Sequence, residues 1–155
     1  MSTATADFLA QQRIAIAGVS RTPADHGANA VYRRLKTRGY TVFAVNPHAD
    51  AVEGDPAYHD LRSIPGSVDA VFIGTNAKHA PSIVREAHDL GISRVWMHQG
   101  PGEGSVSPEA VDYCRANGMT VIPGACPLMY GKTADFGHRC MRWVLQRTGR
   151  IAQDI

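Results

Sequence analysis

The chain has 155 residues, 44% hydrophobic and 19% charged, with a formal net charge of +2. That size and balance suit one soluble globular domain with its own core. So small a charge leaves no electrostatic footprint for nucleic acid, and no apolar run approaches the roughly 18–20 residues of a membrane span.

Residues 1–12 read as an N-terminal lead-in, frayed or folded into a first helical turn. They lack the basic n-region and apolar stretch of a secretory signal. Ile14-Ala15-Ile16-Ala17 is wholly apolar, as a central parallel strand buried on both faces must be, and Gly18 ends it. A polar loop follows. Asn29 is then the expected N-cap of a helix whose stripe includes Val31 and Leu35 and which closes on Arg38-Gly39. Tyr40 to Val45 forms the second strand, ended by Asn46-Pro47.

The stretch 48–66 is turn-rich, with one short strand expected around Asp55–Tyr58 and a turn of helix near Leu61. Asp69 to Ile73 is the next buried strand. A helix begins near His79-Ala80-Pro81, presents Ile83, Val84, Ala87 and Leu90, and stops at Gly91. Arg94 to Met97 is a strand running into HQGPGEG. Ser107-Pro108-Glu109 opens a helix that reaches Asn117-Gly118, and Met119 to Ile122 is the last strand. After PGACPLMYG, a final helix is expected near Thr133–Thr148, with Phe136, Cys140, Trp143 and Val144 as its apolar stripe.

Such alternation implies an α/β fold, a three-layer α/β/α arrangement around a parallel five- to six-stranded sheet, plus a C-terminal accessory helix. Ligands of such sheets bind at the carboxyl ends of the strands. The first loop is not GxGxxG: Gly27 is the next glycine after Gly18, which weakens an ordinary dinucleotide site. The second strand ends on Asn46 where NAD sites place a carboxylate. A neutral side chain there would tolerate a phosphorylated ribose, as in coenzyme A or NADP.

Cys114, Cys126 and Cys140 form no CxxC pair, which fits a reducing cytoplasm rather than a disulfide or zinc framework. The seven histidines never recur at i+3 or i+4, so no helical pair stands ready for a metal, and none is expected.

The ordered set IAGVSR, RGY, VFAVNP, DAVFIGTNAKHAPSIVREAHDLGISRVWMHQG and VIPGACPLM resembles the coenzyme A-binding domain family. These are small Rossmann-like proteins similar to the N-terminal domain of the succinyl-CoA synthetase α subunit. The likeness covers about residues 10–130. It divides the chain into the lead-in, a CoA-binding Rossmann-like domain at 13–130, and the accessory helix at 131–155.

The resemblance implies a site. Gly18, Val19 and Ser20 would line the ADP pyrophosphate through backbone N–H groups and the Ser20 hydroxyl, with Arg21 near phosphate. Asn46 and Pro47 would pack beside ribose and adenine, and Thr75, Asn76 and Lys78 would contact the nucleotide. Gln99 and Gly100 would border the pantetheine arm as it runs toward Pro123–Pro127. Cys126 could meet the thiol of coenzyme A and form a mixed disulfide, or be a small buried packing residue. Gly100, Gly102 and Gly104 could form an anion-binding backbone nest, or simply a loop.

The family's synthetase relatives act through a phosphorylated histidine in a second domain, which this sequence does not contain. No nucleophile–base spacing and no GxSxG elbow is present. A non-catalytic binder of CoA or acyl-CoA is therefore expected: a carrier, sensor or partner subunit, with the last helix a candidate homodimer contact. An NADP-dependent oxidoreductase or redox sensor is one alternative. A small acyl-CoA-processing enzyme using Cys126 or a loop histidine (His26, His48, His79 or His98) is the other.

Overall fold

The computed structural model describes residues 2–22, 27–100, 104–131, 134 and 136–149. In chain order the elements are α1 (Thr3–Leu9), β1 (Arg13–Ala17), α2 (Gly27–Thr37), β2 (Thr41–Val45), β3 (Ala51–Val52) and β4 (Asp55–Tyr58). There follow β5 (Ala70–Ile73), α3 (Ala80–Asp89), β6 (Arg94–Met97), α4 (Pro108–Ala116), β7 (Thr120–Pro123) and α5 (Phe136–Arg147). Single 3-10 turns stand at Ala77–His79 and Pro127–Met129.

The strands form one sheet in the order β3-β4-β2-β1-β5-β6-β7. All neighbours are parallel except β3, which pairs antiparallel with β4 through Ala51↔Pro56 and Val52↔Asp55. The sheet thus has seven strands, not five or six. The additional strand is β3, from the turn-rich stretch where only Asp55–Tyr58 carried a strand signal. Strands of two residues are too short to show a period.

Period-two alternation sends the strand residues to two cores. Ile14, Ile16, Ala44, Phe72, Trp96 and Ile122 pack on one face with Val31 and Leu35 of α2. Ala15, Ala17, Val71, Ile73, Val95 and Met97 pack on the other with Val84, Ala87, Val111 and Cys114 of α3 and α4. This is the three-layer arrangement, and it explains why the strands read as unbroken apolar runs.

Three helices end in one way. After α2, α3 and α4, the amides of Tyr40, Ile92 and Met119 reach back to the carbonyls of Leu35, Ala87 and Cys114, at 3.1, 2.9 and 2.9 Å. The glycine before each of these residues has a positive φ (Gly39, Gly91, Gly118). That is the Schellman closure, which satisfies the last carbonyls and turns the chain straight into the next strand.

At the N-terminus the helical form of the two expected ones is seen, whereas the C-terminal helix departs from expectation. The lead-in folds as α1, capped by Ser2 accepting from the Thr5 amide. Its Phe8 is buried edge-on against Trp96, centroids 5.2 Å apart. In α5 the expected stripe faces outward: Phe136, Trp143 and Val144 are 82, 56 and 49% exposed, and Cys140 is exposed. The buried contact is made by Leu145 with half-buried Met141, while the Arg142 guanidinium stacks 4.5 Å from the Tyr130 ring. A helix touching its domain along one narrow line can carry two apolar stripes, and the sequence does not say which one faces in. Near Leu61 the chain is a turn, not a helix, though Leu61 is buried.

Candidate functional site at the carboxyl ends of β1, β2 and β5

The sheet order grows outward from β1 in both directions, toward β2 and toward β5. The loops leaving β1 and β5 therefore diverge to opposite faces, and a crevice opens between them, the usual ligand position in such sheets. Its floor is set by contacts only glycine permits. Gly18 has φ +97°, and a Cβ there would lie 2.7 Å from the Thr75 amide nitrogen. A Cβ on Gly74 would lie 2.7 Å from Cβ of Ala28. These two glycines bring the β1 loop, the β5 loop and the start of α2 into backbone contact.

Two asparagines hold the rim. Asn29 is fully buried inside α2 rather than capping it. Its Oδ1 accepts from the Ser20 amide at 2.8 Å, and its Nδ2 donates to the Ser20 carbonyl and to Glu53 Oε1, at 2.9 and 2.7 Å. Asn46 Nδ2 donates to the Val19 carbonyl at 2.9 Å, and its Oδ1 accepts from the His48 amide at 2.8 Å. The Gly18 amide donates to the Val45 carbonyl at 3.0 Å. The backbone donors that the sequence assigned to pyrophosphate at Gly18 and Ser20 are thus engaged within the protein. The Ser20 hydroxyl accepts from the Thr22 amide at 3.1 Å.

The resulting cleft has a volume of about 480 Å³. Of the residues singled out from the sequence, Gly18, Ser20, Asn46, Pro47, Thr75 and Asn76 line it together. Val19 is fully buried beneath them, and Arg21 and Lys78 are exposed outside the lining. Gln99, Gly100 and Cys126 form a separate group at the ends of β6 and β7. There the Gln99 amide donates to the Ala125 carbonyl at 3.0 Å, and its side chain donates to the Gly100 carbonyl. Cys126 is only 5% exposed and belongs to the core around Trp96. Gly102 and His26 lie outside the described residues.

The cleft also contains side chains that the sequence did not assign to the site: His59 and Asp60 after β4, and Ser82, Ile83 and Glu86 on α3. Ser82 and Glu86, four apart on one helix face, were a legible signal; His59-Asp60 depended on knowing that β4 lies beside β2. His48 and His79 line the same cleft. Ser63 bonds Asp60 through its amide and hydroxyl at 2.8 and 2.6 Å, which holds that carboxyl below the usual range. Glu86 accepts from the Arg62 amide at 3.1 Å, and His59 Nε2 sits 2.9 Å from Asp50 Oδ1.

His98 occupies a different place. Its ring packs against Phe72 with centroids 5.7 Å apart, in the space that a Cβ on Gly27 or Gly100 would need. Burial pushes its pKa down to about 4, so the ring is neutral at pH 7.

Among the described residues, no three His, Cys, Asp or Glu side chains converge as a metal site, and no helix is long and apolar enough to cross a membrane.

Residues 12–132 match the family described as the CoA binding domain. The chain is 30% identical over 115 residues to the uncharacterized protein YneT of Bacillus subtilis, covering 74% of this chain and 82% of that one. It is 33% identical over 88 residues to the ADP-forming acetate–CoA ligase II of Archaeoglobus fulgidus, covering 56% of this chain but only 13% of the ligase. Among solved structures, a conserved hypothetical protein from Pyrococcus furiosus aligns with a TM-score of 0.66 at 29% identity, covering 74% of this chain and 95% of that one. A hypothetical protein from Pyrococcus horikoshii aligns at 0.73 and 25% identity, covering 81% and 84%. With its matched segment spanning the whole sheet and the cleft, the chain belongs to the CoA binding domain family.

Proposed function

We propose that the protein binds coenzyme A or an acyl-CoA in the cleft between the carboxyl ends of β1, β2 and β5, and does so without catalysing a reaction on it. The observation that carries this reading is the cleft's rim at β2. It ends on Asn46-Pro47, which presents no carboxylate to a phosphorylated ribose, beside Gly18, Ser20, Thr75 and Asn76. The segment shared with the acetate–CoA ligases is a small fraction of their length, which supports its role as a binding unit: a carrier, a sensor or a partner subunit. Cys126 is buried in the core and does not line the cleft, which weighs against a thiol-based reaction there. Three cysteines with no CxxC pair suit a reducing cytoplasm.

Native mass spectrometry and calorimetric titration with CoA, acetyl-CoA and NADP test the proposal. Saturable binding of CoA or acetyl-CoA without NADP is expected; no binding of either CoA or acetyl-CoA would refute it. Because Asn46 also holds the Val19 carbonyl, Asn46→Asp is to be read against Asn46→Ala. Both lose that hydrogen bond, and only the aspartate adds repulsion toward a ribose phosphate. A larger loss of CoA affinity in Asn46→Asp than in Asn46→Ala locates the phosphorylated ribose at β2.

A further inference from the structure

The cleft lining contains three histidines, His48, His59 and His79, two carboxylates, Asp60 and Glu86, and among the described residues neither lysine nor arginine. With the imidazoles neutral, two carboxylates and no cation give a formal charge of −2; three protonated imidazoles bring it to +1. Coenzyme A is a polyanion, carrying a diphosphate and a ribose 3′-phosphate. We infer that His48, His59 and His79 are the cationic groups that receive these phosphates, so that CoA binding is coupled to proton uptake and tightens as the pH falls from about 8 to about 6. The inference rests on the cleft being the CoA site.

The three rings come from three separate elements and line one cleft because the sheet order brings their loops to the same end of the sheet. His48 follows β2, its amide held by Asn46 Oδ1. His59 follows β4, paired with Asp50 and next to Asp60, whose carboxylate is already engaged by Ser63. His79 closes the 3-10 turn before α3, its carbonyl accepting from the Ser82 hydroxyl at 2.9 Å, with exposed Lys78 preceding it. Glu86 of α3, in the same lining, accepts from the Arg62 amide. Arg21 stands exposed on the β1 loop, outside the lining.

Carboxylates ordinarily ionise below this pH window, whereas imidazole is the side-chain type whose protonation changes within it. An anion that raises an imidazole pKa binds more tightly below the free-state value. That advantage is lost as the pH rises through the bound-state value. Each unit of rise corresponds to about tenfold in affinity.

Calorimetric titration of the full chain at about pH 6, 7 and 8, in buffers of different ionisation enthalpy, reads both affinity and proton uptake. Dephospho-CoA gives the cleaner profile, because the 3′-phosphate of CoA itself takes up a proton near pH 6. The expected result is at least about tenfold tighter binding of dephospho-CoA at pH 6 than at pH 8, with net proton uptake. The single variants His48→Gln and His79→Gln, both at exposed positions, should each lessen the dependence, and the triple variant with His59→Gln should remove it. Affinity that is flat across the window, or a pH dependence that survives in the triple variant, would overturn the inference while leaving CoA binding in place. No binding of CoA at any of these pH values would overturn the reading of the cleft on which it rests.

Discussion

His98 shows how one residue's surroundings set its chemistry. The same imidazole that titrates near pH 6.5 in an unfolded chain is held to about 4 by burial against Phe72 and the backbone of Gly27 and Gly100. Between those two values the unfolded state binds the proton and the folded state does not. Its contribution is therefore fully present above about pH 6.5 and is lost as the pH falls toward 4. Urea denaturation at intervals between pH 7 and pH 4 should show wild-type stability falling more steeply than that of His98→Asn. Parallel curves would mean the ring is not buried neutral. The position of His98 after a strand was legible from RVWMHQG, but its burial was not, because it depends on two glycines, one of them about seventy residues earlier in the chain. Asn29 makes a similar point. Its side chain type suggested a cap, whereas the fold uses it as a buried double clamp on Ser20.

At the scale of elements, the sheet and its helices were readable wherever burial on both faces erased the polar alternation, as in β1, β5 and β6. The glycine stops after α2, α3 and α4 were readable for the same local reason, since the left-handed C′ position belongs to glycine. The faces of α5 were not. Its inward residue is Leu145, 4% exposed among Tyr130 and Trp96, whereas Phe136 stands 82% exposed. Leu145→Ala should therefore cost about 2–4 kcal/mol in chemical denaturation, within the range for buried leucine truncation. Phe136→Ser should stay within about 0.5 kcal/mol of wild type, as exposed positions do. Equal costs at the two sites would mean that α5 turns a different face to the domain.

For the molecule as a whole, the two cores share the same strands: Ile14 and Ile16 face one way while Ala15 and Ala17 face the other. Neither face can lose its helices without exposing the strand backbone that serves both, so unfolding should be a single cooperative transition. In a Trp143→Phe background, the fluorescence of fully buried Trp96 should follow the same denaturant curve as far-ultraviolet circular dichroism; separated midpoints would show the two layers melting apart. The composition of the site belongs to this scale too. Gly18, Asn46 and Thr75 were nameable as loop residues following strands, but the company of His59 and Glu86 depends on strand order, which no local pattern encodes.

The antiparallel edge pair carries one more consequence. A long parallel sheet with open sides is a template for endless strand addition between molecules. Here one side ends in β3, only two residues long, and the other in β7, four residues long with Pro123 as its last. Proline has no amide hydrogen to offer, and strands this short give an incoming chain almost no ladder to extend. Both borders of the sheet are thus poor nuclei for fibrous aggregation.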